Sequence, residues 1–252
     1  MKALILCAGR GTRLGTLTDR LPKPMLAVGG EPLLAHTLRT LVAYGFDHVA
    51  VNLHFQGEAI AAHFGDGARF GVSLHYSREE RLLGTAGAVR RLAPFFADVE
   101  DFLVLYGDLL IDQDLGALVR FHRAQGAAAT LLLHQRPGSN SLVRLEDDGR
   151  ITGFVERPTE EQRRQARYPW VNSGAQILSH RLIARIPEGI AADLPCDVYV
   201  PALATERLCG LPLTGYRCAI DSPERLDEAR AAFADGRYRR IAARTAGDLR
   251  HG

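Results

Sequence analysis

The sequence has few of the residues that mark metal-bound, disulfide-bonded or membrane-spanning proteins. Its 252 residues include 4 cysteines, at Cys7, Cys196, Cys209 and Cys218, and none of them forms a C-x-x-C pair. This spacing excludes a zinc knuckle and a C-x-x-C redox motif, and it favours scattered reduced thiols. No apolar run approaches the roughly 20 residues that a membrane helix needs, so we expect no contact with a membrane.

The chain also has little net charge. Its 31 basic and 29 acidic residues are interspersed and leave a formal net charge of +2. A nucleic-acid-binding protein would concentrate basic residues in a stripe or a tail, so we expect no nucleic-acid partner. The apolar run Ala3–Cys7 is too short for the core of a signal peptide and leads directly into a glycine-rich turn. We interpret it as the first strand of a cytoplasmic protein.

The hydrophobic pattern is that of an α/β protein. Short apolar runs alternate with amphipathic stretches, a rhythm that predicts a doubly wound, mostly parallel mixed sheet of the Rossmann-like type. The predicted strands are Ala3–Cys7, His48–Leu53, Val72–Tyr76, Phe102–Tyr106 and Ala128–His134. The predicted helices between them are Pro32–Ala43, Gln56–His63, Thr85–Leu92 and Asp114–Ala124.

The alternation of short apolar runs and amphipathic stretches changes after about Leu133. Asp-Gly between two strand-like runs predicts a hairpin, and Ser222-Pro223 is a typical helix start. We predict one domain over residues 1–236, divided into a core at 1–134 and a hairpin-rich part at 135–236, and a frayed or disordered basic tail at 237–252. The predicted elements of the second part are the strands Leu142–Glu146, Ile151–Glu156 and Trp170–Leu178, the helix Ser179–Ile186 and the last strand Leu213–Ile220.

Glycines and arginines are concentrated in the turn after the first run. A dinucleotide fingerprint needs a small third residue where Leu14 stands, and a Walker loop needs a Gly-Lys-Ser/Thr triplet that is absent. Gly9 and Gly11 would let the backbone approach a phosphate chain, and Arg13 would supply a fork of donors. These residues predict a different phosphate-binding loop, with a plain tight turn as the alternative.

A single lysine stands between two prolines just after this turn. Proline disfavours helical geometry in the residue before it, so Leu21 and Lys23 are predicted to be extended. Such a stiff arm would present the ammonium group of Lys23 at a fixed place. The alternative is a lysine that is simply solvated.

Two aspartates follow predicted strands. Asp108 ends one strand and Asp221 another, and ligands of open α/β sheets bind at the carboxyl ends of strands. Magnesium favours a few carboxylates together with water and phosphate oxygens. The pair therefore predicts a Mg²⁺ site, although either residue alone could be a turn or cap residue. Asp112 and Asp114 are interpreted as cap or surface residues.

The run Ala8–Leu14, followed by Pro22–Leu26, resembles the two-part signature of the sugar-1-phosphate nucleotidylyltransferases, G-x-G-T-R-L and then P-K-P. The resemblance extends through about Ala232. It implies a GT-A-type core that joins a nucleoside triphosphate and a sugar 1-phosphate into an NDP-sugar, releasing pyrophosphate with the help of Mg²⁺. A homodimer is compatible with it.

The resemblance also implies roles for individual residues. The run 154–158 resembles the family's F-x-E-K-P with Arg157 in place of lysine, and 171–174 resembles V-N-x-G. The implied nucleotide-binding residues are Leu6, Ala8, Gly9, Gly11, Thr12, Arg13, Gly84, Thr85 and Gly87. The implied sugar-phosphate ligands are Gly107, Glu156, Arg157 and Asn172, the metal ligands Asp108 and Asp221, and the catalytic residues Arg13, Lys23 and Asp108.

The identity of the substrates is less constrained. Leu83–Gly87, after Glu79-Glu80, resembles the mannose- or heptose-phosphate guanylyltransferase branch, which favours GTP and leaves UTP, CTP and ATP open. The sugar could be a hexose, a heptose or a sugar-like cyclitol. Two other functions remain: a non-catalytic nucleotide-sugar-binding homologue, and a GT-A-like glycosyltransferase whose Asp-x-Asp motif would be Asp112-Gln113-Asp114.

Overall fold

The fold is mixed α/β with a large, mostly parallel central sheet, which confirms the predicted class. A computed structural model of the chain describes residues 1–19, 21–136, 138–166 and 169–239. Its strands are β1 (Lys2–Leu6), β2 (Ala27–Val28), β3 (Glu31–Pro32), β4 (His48–Leu53), β5 (Ser73–Arg78), β6 (Asp101–Tyr106), β7 (Leu109–Ile111), β8 (Ala129–Gln135), β9 (Ser141–Leu145), β10 (Ile151–Glu156), β11 (Trp170–Ser179), β12 (Leu208–Pro212) and β13 (Arg217–Ala219).

Helices connect many of these strands. The α-helices are α1 (Leu33–Ala43), α2 (Gly57–Phe64), α3 (Gly84–Arg91), α4 (Leu115–Gln125), α5 (Glu160–Gln165), α6 (Val200–Ala202) and α7 (Pro223–Ala234). The 3-10 helices are Thr12–Thr18, Lys23–Met25, Ala68–Phe70, Ala93–Phe96 and His180–Arg185, and Leu194–Tyr199 is a π-helix. None of the helices in the described ranges is both long and apolar enough to cross a membrane.

The chain forms two compact units that interleave along the sequence. The first contains Met1–Leu82, Leu105–Asp114 and the chain from Thr214 onward, and the second contains Leu83–Val104 and Leu115–Leu213. Strand β6 therefore begins in the second unit and ends in the first. These units do not follow the sequence-based division at residue 134.

The first unit is built on parallel strands. Strand β4 pairs in parallel with both β1 and β5, while β7 and β13 form a separate antiparallel ribbon. Its apolar core includes Leu14 from the glycine-rich segment, by which we mean residues 8–26, and Leu33 from α1. Tyr238, which the sequence assigned to the basic tail, is also buried in this core. Residues 240–252 of that predicted tail lie outside the described residues.

The second unit has a mixed sheet. Strand β8 pairs with β11 antiparallel and with β12 parallel, and β9 and β10 form an antiparallel hairpin. The hairpin turns at Gly149, whose φ of 80° lies in the left-handed region that glycine adopts readily. This confirms the hairpin that Asp-Gly predicted.

The predicted last strand, Leu213–Ile220, is wrong as one element. The structure has β12 before it and the short β13 inside it. The side-chain oxygen of Gln113 accepts the backbone N–H groups of Thr214 and Gly215, at 2.9 and 3.1 Å. These donors are therefore bonded to a side chain and are not available to a strand ladder. The predicted α-helix Ser179–Ile186 is a 3-10 helix, whereas Ser222 caps α7 as predicted by accepting from Arg225 N at 3.3 Å.

The turn between β2 and β3 allows a test of packing in the first unit. Gly29 and Gly30 both have positive φ, 58° and 82°, but only a Cβ at Gly29 would overlap the ring of Phe233. We expect Gly30→Ala to lower the free energy of unfolding by about 1–2 kcal/mol through left-handed strain alone. Gly29→Ala should cost a further ~1–3 kcal/mol from overpacking. Urea denaturation of both variants would measure this, and equal losses would contradict the packing of Phe233 on this turn.

Candidate active site

The predicted site residues of the first unit meet where β1 and β6 end. Gly107 N donates to Leu6 O at 2.9 Å. A Cβ at Gly107 would lie 2.6 Å from Cys7 Sγ and 2.7 Å from Leu6 O, so only glycine permits this approach. The contact brings Asp108 to the beginning of the glycine-rich segment. Burial, and then the nearby Asp108 carboxylate, raises the pKa of the Cys7 thiol, which is therefore neutral and no nucleophile.

The glycine-rich segment is anchored by the residue that excludes a dinucleotide fingerprint. Leu14 is buried in the core of the first unit, and its N–H donates to Gly11 O at 2.9 Å. The Thr18 hydroxyl donates to the carbonyls of Gly11 and Gly15, at 3.1 and 3.2 Å. These contacts fold residues 12–18 into 3-10 turns and leave Arg13 exposed.

The lysine between the two prolines does not lie on an extended arm, so that prediction is wrong. Lys23 begins a short 3-10 helix in which Met25 N donates to Pro22 O at 2.8 Å and Leu26 N to Lys23 O at 3.0 Å. Pro24 fits this helix because its fixed φ suits a first helical turn. The ammonium group still reaches a defined place, 3.1 Å from Asp108 Oδ2, and the lysine side chain is only 14% exposed.

The two predicted metal ligands are neighbours. Ala219 pairs with Leu109 in the β7–β13 ribbon, and Ile220 N donates to Asp108 O at 2.8 Å. Asp221 follows directly and lies 3.1 Å from Arg13 Nη1 through its Oδ2. Each carboxylate is thus paired with one basic side chain of the glycine-rich N-terminal segment.

This donor set fits a magnesium ion. Magnesium binds through one or two carboxylates and keeps several positions for water and phosphate oxygens. Within the described ranges, no three His, Cys, Asp or Glu side chains are grouped so as to hold a metal by themselves. A metal-binding role of Asp108 and Asp221 stays a prediction, in which water and phosphate oxygens would supply the remaining ligands.

A buried network of polar side chains supports the beginning of the glycine-rich segment, and no sequence motif indicated it. Asn52 Oδ1 accepts from Cys7 N at 2.7 Å, and Asn52 Nδ2 donates to Glu79 Oε1 at 2.9 Å. Both side chains are almost fully buried. They fix the end of β1 against the ends of β4 and β5. Arg10 is not part of this polar network, and its guanidinium lies 6.0 Å from the centre of the Phe55 ring.

The Asp-x-Asp pattern at residues 112–114 has a structural role in the first unit. The Asp112 carboxylate accepts the backbone N–H groups of Tyr216 and Arg239, the latter at 3.0 Å. With both oxygens bonded to backbone, Asp112 holds the chain before β13. This observation supports its interpretation as a structural residue.

In the second unit, the predicted nucleotide-binding helix start is packed against residues 190–194. Thr85 N donates to Asp193 Oδ1 at 3.1 Å, and Ala86 N and Gly87 N donate to Ala192 O at 2.9 and 3.2 Å. Gly84 has φ of 73°, and a Cβ there would overlap the carbonyl of Ala192. The first N–H groups of α3 are therefore occupied by the chain itself, and a nucleotide contact of Gly84, Thr85 or Gly87 stays a prediction.

Three of the four predicted sugar-phosphate ligands lie at the end of the hairpin and in β11, whereas the fourth, Gly107, belongs to the first unit. Glu156 is half-buried, and this burial raises its pKa to about 7; the Arg157 guanidinium lowers the pKa and the Asp193 carboxylate raises it. Arg157 is exposed, and its Nη2 lies 3.6 Å from Asp193 Oδ2. Asn172 Oδ1 accepts from Gly174 N at 2.9 Å, a local turn contact.

The structure thus groups the predicted residues within each unit. The first unit contains Leu6, Ala8, Gly9, Gly11, Thr12, Arg13, Lys23, Gly107, Asp108 and Asp221. The second contains Gly84, Thr85, Gly87, Glu156, Arg157 and Asn172. Asp193, which contacts two of these residues, was missed because nothing in its Ala-Ala-Asp-Leu-Pro surroundings distinguishes it from a loop residue.

Two curated relatives and a solved structure are similar to this chain. A UTP–glucose-1-phosphate uridylyltransferase of Synechocystis sp. is 38% identical over 215 residues, which is 79% of this chain and 54% of the relative. A mannose-1-phosphate guanylyltransferase of Mycobacterium tuberculosis is 33% identical over 209 residues, or 82% and 56%. The solved structure of a UDP-glucose pyrophosphorylase complexed with UDP-glucose superposes with a TM-score of 0.79 at 18% identity, covering 93% of this chain and 98% of that one.

These comparisons place the chain in a family. The chain spans about half the length of the curated relatives it matches. The model of the family described as nucleotidyl transferase matches residues 2–188, which include most of the predicted site. Relatives that act on glucose 1-phosphate and mannose 1-phosphate confirm the resemblance given by the N-terminal signature. The chain belongs to the sugar-1-phosphate nucleotidyl transferase family.

Proposed function

We propose that this chain transfers a nucleotidyl group from a nucleoside triphosphate to a sugar 1-phosphate. The observation that carries the proposal is the pair of cation–carboxylate contacts, Lys23 with Asp108 and Arg13 with Asp221, at neighbouring strand ends beside the glycine-rich segment. In the reaction an oxygen of the sugar phosphate bonds to the α-phosphorus of the triphosphate. The bond from that phosphorus to the bridging oxygen breaks, and pyrophosphate leaves.

Such a reaction needs positioning and positive charge more than a protein nucleophile. Arg13 is exposed and would bind the leaving β- and γ-phosphates through its fork of donors. Lys23 is held on one side of the site and would stabilise the charge that develops around the α-phosphate. Gly9, Gly11 and Thr12 would offer backbone N–H groups to the phosphate chain.

Asp108 and Asp221 would hold the metal ion that the fold family implies. A bound Mg²⁺ would neutralise phosphate charge and hold the triphosphate in one conformation. The two carboxylates have a second role that needs no metal, because each one orients the basic side chain paired with it.

The sugar 1-phosphate would bind to Glu156, Arg157 and Asn172 of the second unit, and the contact predicted for Gly107 of the first unit stays a prediction. The Arg157 guanidinium can bind its phosphate bidentately, which the compact ammonium group of lysine cannot do. Glu156 would accept hydrogen bonds from the sugar hydroxyls, and Asn172 would donate hydrogen bonds to them. We propose a hexose, a heptose or a cyclitol phosphate as this substrate, with GTP as the preferred triphosphate and UTP as the main alternative.

A substrate panel tests this function. The purified chain is incubated with each of GTP, UTP, CTP, ATP and dTTP, paired with each of glucose 1-phosphate, mannose 1-phosphate, a heptose 1-phosphate and a cyclitol phosphate. We expect pyrophosphate release that requires both substrates and Mg²⁺, fastest with GTP. Release of a nucleoside diphosphate from an NDP-sugar would indicate a glycosyltransferase instead, and binding without turnover a non-catalytic homologue.

The metal assignment makes a specific prediction. Asp108→Asn keeps the shape of the side chain but removes its charge, so kcat/KM should fall by roughly 10²- to 10³-fold. Pyrophosphate release measures the loss, and an unchanged melting temperature shows that the fold is intact. Asp227→Asn, on the exposed part of α7, is the matched control and should keep full activity. Retained activity in Asp108→Asn would refute the assignment.

The raised pKa of Glu156 predicts a pH dependence. The carboxylate is charged above about pH 7 and protonated below it, and only the charged form accepts strong hydrogen bonds from hydroxyls. The KM for the sugar 1-phosphate should therefore rise about fivefold as the pH falls from 8 to 6. Phosphate groups of the substrate also titrate near pH 6. Glu156→Gln retains that titration, so only the difference between the two profiles belongs to Glu156, and coincident profiles would contradict its role.

A further inference from the structure

The Arg157 backbone is in an unusual conformation. Its φ is 51°, and among the described residues only Gln56 is another non-glycine residue with positive φ. A left-handed backbone strains any residue other than glycine. Pro158 follows directly and restricts the residue before it further. Such strain persists where a side chain has a function, since glycine would relieve it.

The Arg157 side chain has one partner in the described part of the chain. Its Nη2 lies 3.6 Å from Asp193 Oδ2, and its backbone N–H donates to Asn140 O at 2.6 Å. At 3.6 Å the contact is an ion pair without a hydrogen bond, and the Arg157 side chain is 76% exposed. The Asp193 carboxylate attracts the guanidinium and so limits where it can lie.

Asp193 is itself held firmly. Its Oδ1 accepts from Thr85 N at 3.1 Å and from the Thr85 hydroxyl at 3.2 Å, and its own N–H donates to Asp197 Oδ2 at 2.6 Å. It stands immediately before the π-helix Leu194–Tyr199. Such π-helical turns are rare in proteins overall, but many of them lie at functional sites. The carboxylate that faces Arg157 is therefore fixed by the beginning of α3 on one side and by this turn on the other.

We propose that Asp193 is a positioning residue for the sugar 1-phosphate. It holds the Arg157 guanidinium in the orientation that binds the phosphate, and it ties that guanidinium to the helix start that contains Thr85. Its negative charge also acts on Glu156, the predicted ligand of the sugar hydroxyls. This inference rests on the proposed function for the identity of the ligand.

The test measures binding and turnover separately. Calorimetry gives the Kd for mannose 1-phosphate and glucose 1-phosphate in wild type, Asp193→Asn, Arg157→Ala and the double variant. Asp193→Asn keeps an oxygen for the Thr85 bonds but loses the charge that holds Arg157. We expect it to raise the Kd about two- to fivefold, the range of an exposed ion pair. Arg157→Ala should raise it tenfold or more.

The double variant should bind no more weakly than Arg157→Ala alone, because Asp193 acts through Arg157. Asp147→Asn removes a charge from an exposed turn of the same unit and is the matched control, with an unchanged Kd expected. A second readout is the pH profile of the Kd. Its inflection should move to lower pH in Asp193→Asn, since a charge that adds to the effect of burial on the pKa of Glu156 is gone, and should stay in place in Asp147→Asn.

Additive losses in the double variant, an unmoved inflection, or equal effects of the two Asp→Asn changes would overturn the proposal. Wild-type protein that binds a sugar 1-phosphate but releases no pyrophosphate would refute the proposed function and leave the positioning role standing. Normal turnover in the wild type, together with additive losses of binding in the double variant, would support the proposed function and refute the positioning role. Wild type that binds none of these compounds would refute both.

Discussion

Charge balance at two neighbouring strand ends is the constraint on which the candidate site depends. The β7–β13 ribbon places Asp108 and Asp221 on neighbouring stretches of backbone, where their negative charges need partners. Lys23 and Arg13 each lie 3.1 Å from one of them. The N-terminal segment that carries both basic residues therefore contacts these strand ends, and we propose that the same contacts present the two cations to a phosphate chain. The substrate and the metal ion would redistribute these contacts without changing the backbone that makes them.

Close approach of backbone segments is the second common feature. Gly107 has no room for a Cβ beside Leu6 and Cys7, and Gly84 has none beside Ala192. Each contact fixes the position of the functional residue that follows it, Asp108 in the first unit and Thr85 in the second. Glycine is required in both places for space, and at Gly84 also for its left-handed backbone.

Polar contacts between segments distant in sequence complete both parts of the site. Asn52 and Glu79 support the beginning of the glycine-rich segment, and Asp193 links Thr85 to Arg157. None of these supporting residues lies in a recognisable motif. Their contacts join segments that are far apart in sequence, which explains why the motifs predict the candidate site residues and not the side chains that support them.

The sequence by itself determined the α/β class, most strands and helices, the hairpin at Gly149, the cap at Ser222 and the family, because periodicity, turn chemistry and the N-terminal signature are local properties. The tertiary structure decided the rest. Gln113 and Asp112 take the backbone donors of residues 214–216 and so divide the predicted last strand, and Lys23 lies in a 3-10 turn instead of an extended arm. The contacts of Lys23 with Asp108 and of Thr85 with Asp193 join residues 85 and 108 positions apart, and no local pattern encodes them or the interleaving of the two units.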